Sequence, residues 1–151
     1  MAQDEHAIRA VNDLIATYHD SEEGYAKAAK GARDTYRSNR LTEISGQRGA
    51  YADELRKLVE STGAAASTDA HYGGILHRGW VDLEARLQGK PDIELFNECL
   101  EGDTATLKHL DHTVSQPLTP EFRSAIERQH REVLQQNEEL RSWLGRHART
   151  A

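Results

Sequence analysis

The residues of this 151-residue chain that could do chemistry are carboxylates, eight histidines and one cysteine. One local motif has metal-binding spacing. Glu127-Arg128-Gln129-His130 is a Glu-x-x-His, which on a helix sets a carboxylate and an imidazole one turn apart, as helical di-iron and di-manganese proteins do. A full centre of that kind needs a second such motif and two further Glu. The chain lacks the second motif, because Glu43 is followed three residues later by Gly46 and Glu54 by Lys57. One occurrence is also close to the roughly 0.8 that chance supplies at this composition.

Other candidates are sparser. His109 and His112 are spaced i, i+3 but fall off the apolar face of their helix and read as a solvated pair. His19 lies at helical pairing distance from Glu22 and Glu23, an ordinary surface interaction. His71 and His77 have no second ligand at motif spacing, and Gly73-Gly74 reads as a helix start rather than a phosphate loop. Cys99 has no neighbouring His or Lys to favour its thiolate, so a semi-buried inert thiol is expected. No Ser/His/Asp set can be assembled.

The elements that must position these groups are helices. Apolar residues recur at steps of three and four: Ile8, Val11, Ile15, Tyr18, Tyr25 and Ala29, then Leu41, Ile44, Tyr51, Leu55 and Leu58. Two further stripes follow, with Phe96, Leu100, Leu107 and Leu110 on one and Phe122, Ile126, Val133, Leu140 and Trp143 on the other. Glycine and proline punctuation predicts long helices over residues 4–32, 34–61, 91–114 and 119–146, with fraying beyond Gly145. Thr119-Pro120-Glu121 reads as N-cap, first helical residue and a dipole-favoured acid. Gly46 and Gly49 weaken the second helix and would mark close approach of a neighbour. A connection over residues 62–90, with its own short helix at 73–88 and Trp80 packed on the bundle, is long enough to run the length of the molecule. The expected fold is therefore all-α, a single ferritin-like four-helix bundle of two antiparallel hairpins joined by a long crossover.

Continuing the stripes puts polar residues where a bundle wants Leu. Glu22 falls inward on the first helix, Arg48 with Gln47 beside it on the second, Asp103 on the third, and Gln129 and Gln136 on the fourth. Folding each hairpin about its turn brings them all to mid-bundle. Arg48 would there supply the positive charge that a metal would otherwise bring, engaging Glu22 and Asp103 while the amides complete a buried network. Such a network fixes register more than it adds stability. The alternative is a degenerate iron or manganese site built from Glu22, Glu23, Asp103, Glu127 and His130, although the stripe turns Glu127 toward a flank.

Composition narrows the classes. Leu, Ile, Val and Phe are about 18.5% of residues, near the level at which chains fail to fold, yet Ala is abundant and helix-forming residues dominate. A net charge of −6 with scattered arginines argues against nucleic acid. No apolar run could span a membrane, and the charged N-terminus is unlike a secretory signal, so a cytoplasmic location is expected. A lone cysteine excludes an internal disulfide.

Four runs in order resemble a known family: Asp20 to Ala29, Gln47 to Leu55, His77 to Leu83 and Cys99 to Asp103. Together they are similar to a small bacterial four-helix-bundle family of the ferritin-like superfamily, a domain of unknown function, over about residues 12–144. The resemblance implies a ferritin-like bundle and an association with stress, but no substrate or catalytic residue. Asn137 stands where relatives are expected to carry His, and Asp103 where they carry Glu. The resulting expectation is a non-enzymatic protein without a favoured cofactor, acting by self-association, such as a homodimer, or through a protein partner.

Overall fold

A computed structural model describes residues 4–66 and 89–150 of the chain. Among these residues there are four helices and no strand: α1 (Glu5–Gly31), α2 (Thr35–Ser61), α3 (Asp92–Val114) and α4 (Pro120–Thr150). None is long and apolar enough to cross a membrane. The expected helix at 73–88, with Gly73-Gly74, His71, His77 and Trp80, lies outside the described residues.

The helix ends follow local chemistry. Asp4 caps α1 by accepting from the His6 and Ala7 amides at 2.8 and 3.3 Å, and Asp34 caps α2 by accepting from the Arg37 amide at 2.9 Å. Asp34 is thus a cap and not the first helical residue. Pro91, expected inside the first turn of α3, sits at its N-cap instead and offers no side-chain acceptor. The next residue does the tying: Asp92 accepts from the backbone amides of Arg33 and Asp34 at 2.8 and 3.0 Å, fastening the start of α3 to the α1–α2 turn. Gly63, at φ +85°, supplies the left-handed residue that ends α2. Past Gly145, α4 continues to Thr150 instead of fraying, because no proline or left-handed glycine stops it.

Cross-helix bonds give the directions. Tyr25 meets Asp103, and the Arg33–Asp34 turn meets Asp92, so α3 runs antiparallel to α1. Arg48 meets Gln136 and Glu54 meets Gln129, so α4 runs antiparallel to α2. α1 packs on α2 and α3, and α4 packs on α3 and α2. This leaves α2 and α3 parallel across a diagonal, with Ser61 and Asp92 at opposite ends of the bundle.

The interior contains two apolar clusters. One gathers Val11, Leu14, Ile15, Tyr18, Leu55, Leu110, Ile126 and Val133 near the α1 N-terminus. The other gathers Tyr25, Leu41, Ile44, Leu95, Phe96, Cys99, Leu140 and Trp143 near the α1 C-terminus. Each fully buried Leu or Ile contributes about 1.5–3 kcal/mol. On α2 the break between clusters falls at Ser45–Arg48, and on α4 at Gln136–Asn137, so a polar layer separates two greasy ones.

Candidate functional site

That polar layer is built around Arg48, whose side chain is wholly buried. Its neighbours on α2, Ile44 and Leu55, anchor the helix in the two apolar clusters and leave the guanidinium nowhere to go but inward. It makes four hydrogen bonds: Nη1 to Asp103 Oδ1 at 2.6 Å, Nη2 to Asp103 Oδ2 at 2.9 Å, and Nε and Nη2 to Gln136 Oε1 at 3.1 and 2.9 Å. The two-pronged grip on a carboxylate is the geometry arginine is shaped for. The guanidinium carbon also lies 4.9 Å from the centre of the Tyr25 ring.

Asp103, equally buried, is saturated. Beyond the two bonds from Arg48, its Oδ2 accepts from the Tyr25 hydroxyl at 2.5 Å and from Asn137 Nδ2 at 2.9 Å. Asn137 donates to the Val133 carbonyl as well, at 2.9 Å. Gln136 extends the set outward by donating to Gln47 Oε1 at 2.6 Å, and Gln47 itself is exposed. One layer away, the Tyr18 hydroxyl donates to Gln129 Oε1 at 3.0 Å, and Gln129 Nε2 donates to Glu54 at 2.8 Å.

The electrostatics follow from burial and pairing. Burial alone pulls the Arg48 guanidinium down, but the charge of Asp103 and the hydrogen bonds to it outweigh that and hold it above its ordinary range. It stays charged. Burial, and then the Asp103 charge, push the Tyr25 hydroxyl and the Cys99 thiol well up, so both stay protonated. Cys99 is fully buried, not half-buried, and is an inert neighbour of the centre.

Glu22 is not part of the set. Its side chain is 43% exposed, 3.5 Å from His19, and its carboxylate lies directly over Gly49. A Cβ built on Gly49 would sit 2.2 Å from Glu22 Oε2. Gly49 therefore does mark a close approach, but by this side chain, and a helix this near leaves no inward path for it. Gly46 has nothing within 4 Å and marks none.

The alternative metal ligands stand apart from one another. Glu23 pairs with Lys27 at 3.1 Å, Glu127 with Arg123 at 3.6 Å, and His130 with Asp111 at 3.2 Å, while Glu22 and Asp103 are placed as above. Glu127 is exposed, turned to the flank as the stripe implied. Among the described residues no group of three or more His, Cys, Asp or Glu is arranged to hold a metal ion. The donor set at mid-bundle, with one carboxylate already saturated by a guanidinium, does not fit one.

Two network members, Tyr25 and Asn137, carry no motif, and a third polar residue was misplaced by the stripe. His109 is buried, with 5% of its surface exposed, and its Nδ1 contacts the Thr17 hydroxyl. Burial, helped by the nearby His112, pushes His109 down to about 4, so it is neutral near pH 7. It is not half of a solvated pair. The signal was Thr106, His109 and Thr113, a second inward row at steps of three and four, readable because helical threonines satisfy their hydroxyls on the preceding turn: Thr113 on the His109 carbonyl at 2.6 Å, Thr17 on the Asp13 carbonyl at 3.0 Å.

Comparison with curated proteins gave no match. One family model, described as a domain of unknown function (DUF2383), matches residues 6–116, which takes in α1, α2 and α3 with Arg48, Asp103 and Tyr25 and stops short of Gln129, Gln136 and Asn137. With that match running over most of the chain and carrying both halves of the central ion pair, this protein belongs to the DUF2383 family.

Proposed function

We propose that this chain is a ferritin-like bundle in which a guanidinium stands where a metal centre would be, and that it works without catalysis, by binding another protein surface or a second copy of itself. The single observation that carries this reading is the Arg48–Asp103 pair, which fills mid-bundle and uses both carboxylate oxygens and the Gln136 amide. The parallel, diagonal placement of α2 and α3 supports the ferritin-like part, since one connection must then pass from end to end. The resemblance seen in the sequence adds the stress association to the proposal, which also keeps the cytoplasmic setting expected from the sequence.

A saturated ion pair of this kind has no open coordination position and no exposed nucleophile, and its protons are held on groups that do not release them near neutral pH. What it can do is specify alignment. A helix slipped by one turn would leave Arg48 and Asp103 buried and unpaired, which is far costlier than a misplaced Leu.

The reading is tested by metal analysis of protein purified from cells supplemented with iron or manganese, alongside an Asp103→Asn variant. Metal well below one equivalent in both is expected. One or two equivalents in the parent that vanish in Asp103→Asn would overturn it.

A further inference from the structure

The four helices do not hold the bundle together equally. α1 packs broadly on α2 and on α3, whereas among the described residues α4 meets only α3 and α2, and more thinly. It reaches α3 through the short turn at residues 115–119.

We propose that α4 exchanges between two copies of this chain, so that in the dimer each Arg48–Asp103 centre receives its Gln136 and Asn137 from the other copy. The inference deepens the self-association named in the function proposed above and rests on it.

What α4 gives the centre is neutral. Arg48 on α2 and Asp103 on α3 answer each other's charge without it, and α4 adds only the Gln136 and Asn137 amides. When α4 swings away, neither charge loses its counter-charge, and water takes the place of the amides. Its outer ties are as replaceable. Glu139 to Arg40 at 3.0 Å, Arg128 to Glu54 and His130 to Asp111 at 3.2 Å all join partly or fully exposed side chains, and such pairs add little over their contacts with water.

The apolar ties differ. Phe122, Ile126, Val133, Leu140 and Trp143 are each at most 3% exposed, and the other three helices left without them would turn a long apolar strip to water. That strip must be covered again, and a surface that fits it already exists on every copy of the chain. The occupant is therefore a second α4 making the same contacts, a low-cost route to a dimer.

The hinge suits the exchange. Pro117 bars α3 and α4 from fusing into one helix and biases Gln116 toward extended backbone, the conformation an opened hinge needs. In the closed turn Arg123 of α4 donates to the Val114 and Gln116 carbonyls at 3.0 Å each, and opening the turn exchanges these bonds for bonds to water. The matched stretch 6–116 ends in the same turn, so the three helices it covers are the ones that stay in place.

The test uses the full chain in two complementary forms. One carries Arg40→Glu with Glu54→Arg, both on α2; the other carries Arg128→Glu with Glu139→Arg, both on α4. Closed on itself, either form sets like charges against each other across the α2–α4 seam. In the mixture, exchange of α4 restores both opposite-charge pairs in both halves of a dimer. The parent, each form alone and the equimolar mixture are followed by sedimentation and native mass spectrometry, after brief exposure to mild urea and its removal, with folding checked by circular dichroism.

The parent is expected to dimerise as its concentration rises. The mixture is expected to give about tenfold more dimer than either form alone, nearly all of it mixed. A second measurement needs no change of charge: about ten Gly and Ser residues inserted after Gln116 ease the closed turn and should lower the parent's dimer fraction severalfold. Charge variants that fail to fold leave the insertion to decide.

A parent that stays monomeric at every concentration overturns the proposal. So does a mixture no richer in dimer than its components, or a parent dimer indifferent to the insertion, since the copies then meet on an outer surface. In those last two cases self-association stands and only the exchange falls. Metal content, measured separately, bears on the proposed function and not on the exchange.

Discussion

Arg48 and His109 are both buried titratable side chains within a few turns of Asp103, yet the bundle treats them in opposite ways. Arg48 keeps its charge because Asp103 answers it with two hydrogen bonds. His109, facing only a threonine hydroxyl and a nearby histidine, gives its charge up. The difference shows what an ionisable group costs in a thin helical core: it must be matched by a counter-charge from another helix, or be neutral at working pH. The first solution, through Tyr25, Gln136 and Asn137, ties all four helices together and the second only two.

The sharpest way to break this comparison is to remove one side of the ion pair. Arg48→Met leaves Asp103 buried without its counter-charge and should cost about 3–5 kcal/mol in urea denaturation. Arg48→Met with Asp103→Leu should cost less than the single change, because no lone charge remains. A single variant as stable as the parent would show that the pair is not matched in the way described.

Acid probes the other side. His109 is near 4 in the fold against 6.5 when unfolded. Above pH 6.5 neither state carries the proton and stability is whole. As pH falls below 6.5 only the unfolded chain takes it up, so stability drains until pH about 4, where the folded state is protonated too. The full loss is on the order of 3 kcal/mol. Urea titrations at several pH values should show this slope in the parent and lack it in His109→Gln. An identical slope in both would remove His109 from the account.

Tyr25→Phe deletes one of the four bonds to Asp103 and leaves the ion pair intact, so a loss of about 2 kcal/mol is expected from the same denaturation curves. The smallest effects belong to the α2 glycines. Gly46→Ala, in open space, should raise stability by about 0.5–1 kcal/mol through helix propensity, and Gly49→Ala should gain less because Glu22 must swing aside. A large loss at Gly49 would mean that Glu22 is held where it lies.

The sequence made the four helices legible because their apolar stripes are long and Pro120 marks a start. Arg48, Asp103, Gln129 and Gln136 stood out for the same reason, as polar interruptions in otherwise clean stripes. Glu22 interrupted a stripe as well, but a stripe gives an angle around one helix and says nothing of how near the next one comes. Gly49 brings α2 too close. The bonds of Tyr25 and Asn137 to Asp103 were not legible, because where a phenol or amide points depends on register between helices far apart in the chain. His109 escaped because the buried face of α3 is wider than its Leu residues alone suggest, extended by threonines that hide their hydroxyls on their own backbone.

The pairing of Arg48 with Asp103 also sets an order of events during synthesis. The two residues are 55 positions apart, so at about 5–20 residues per second the counter-charge leaves the ribosome roughly 3–11 s after the arginine. The α1–α2 hairpin can form in that interval, but with its guanidinium still needing water. Gln136 and Asn137 come later still. The nascent hairpin is therefore kept from closing over its own core, and the last helix to arrive completes the set of bonds that lets the interior dry.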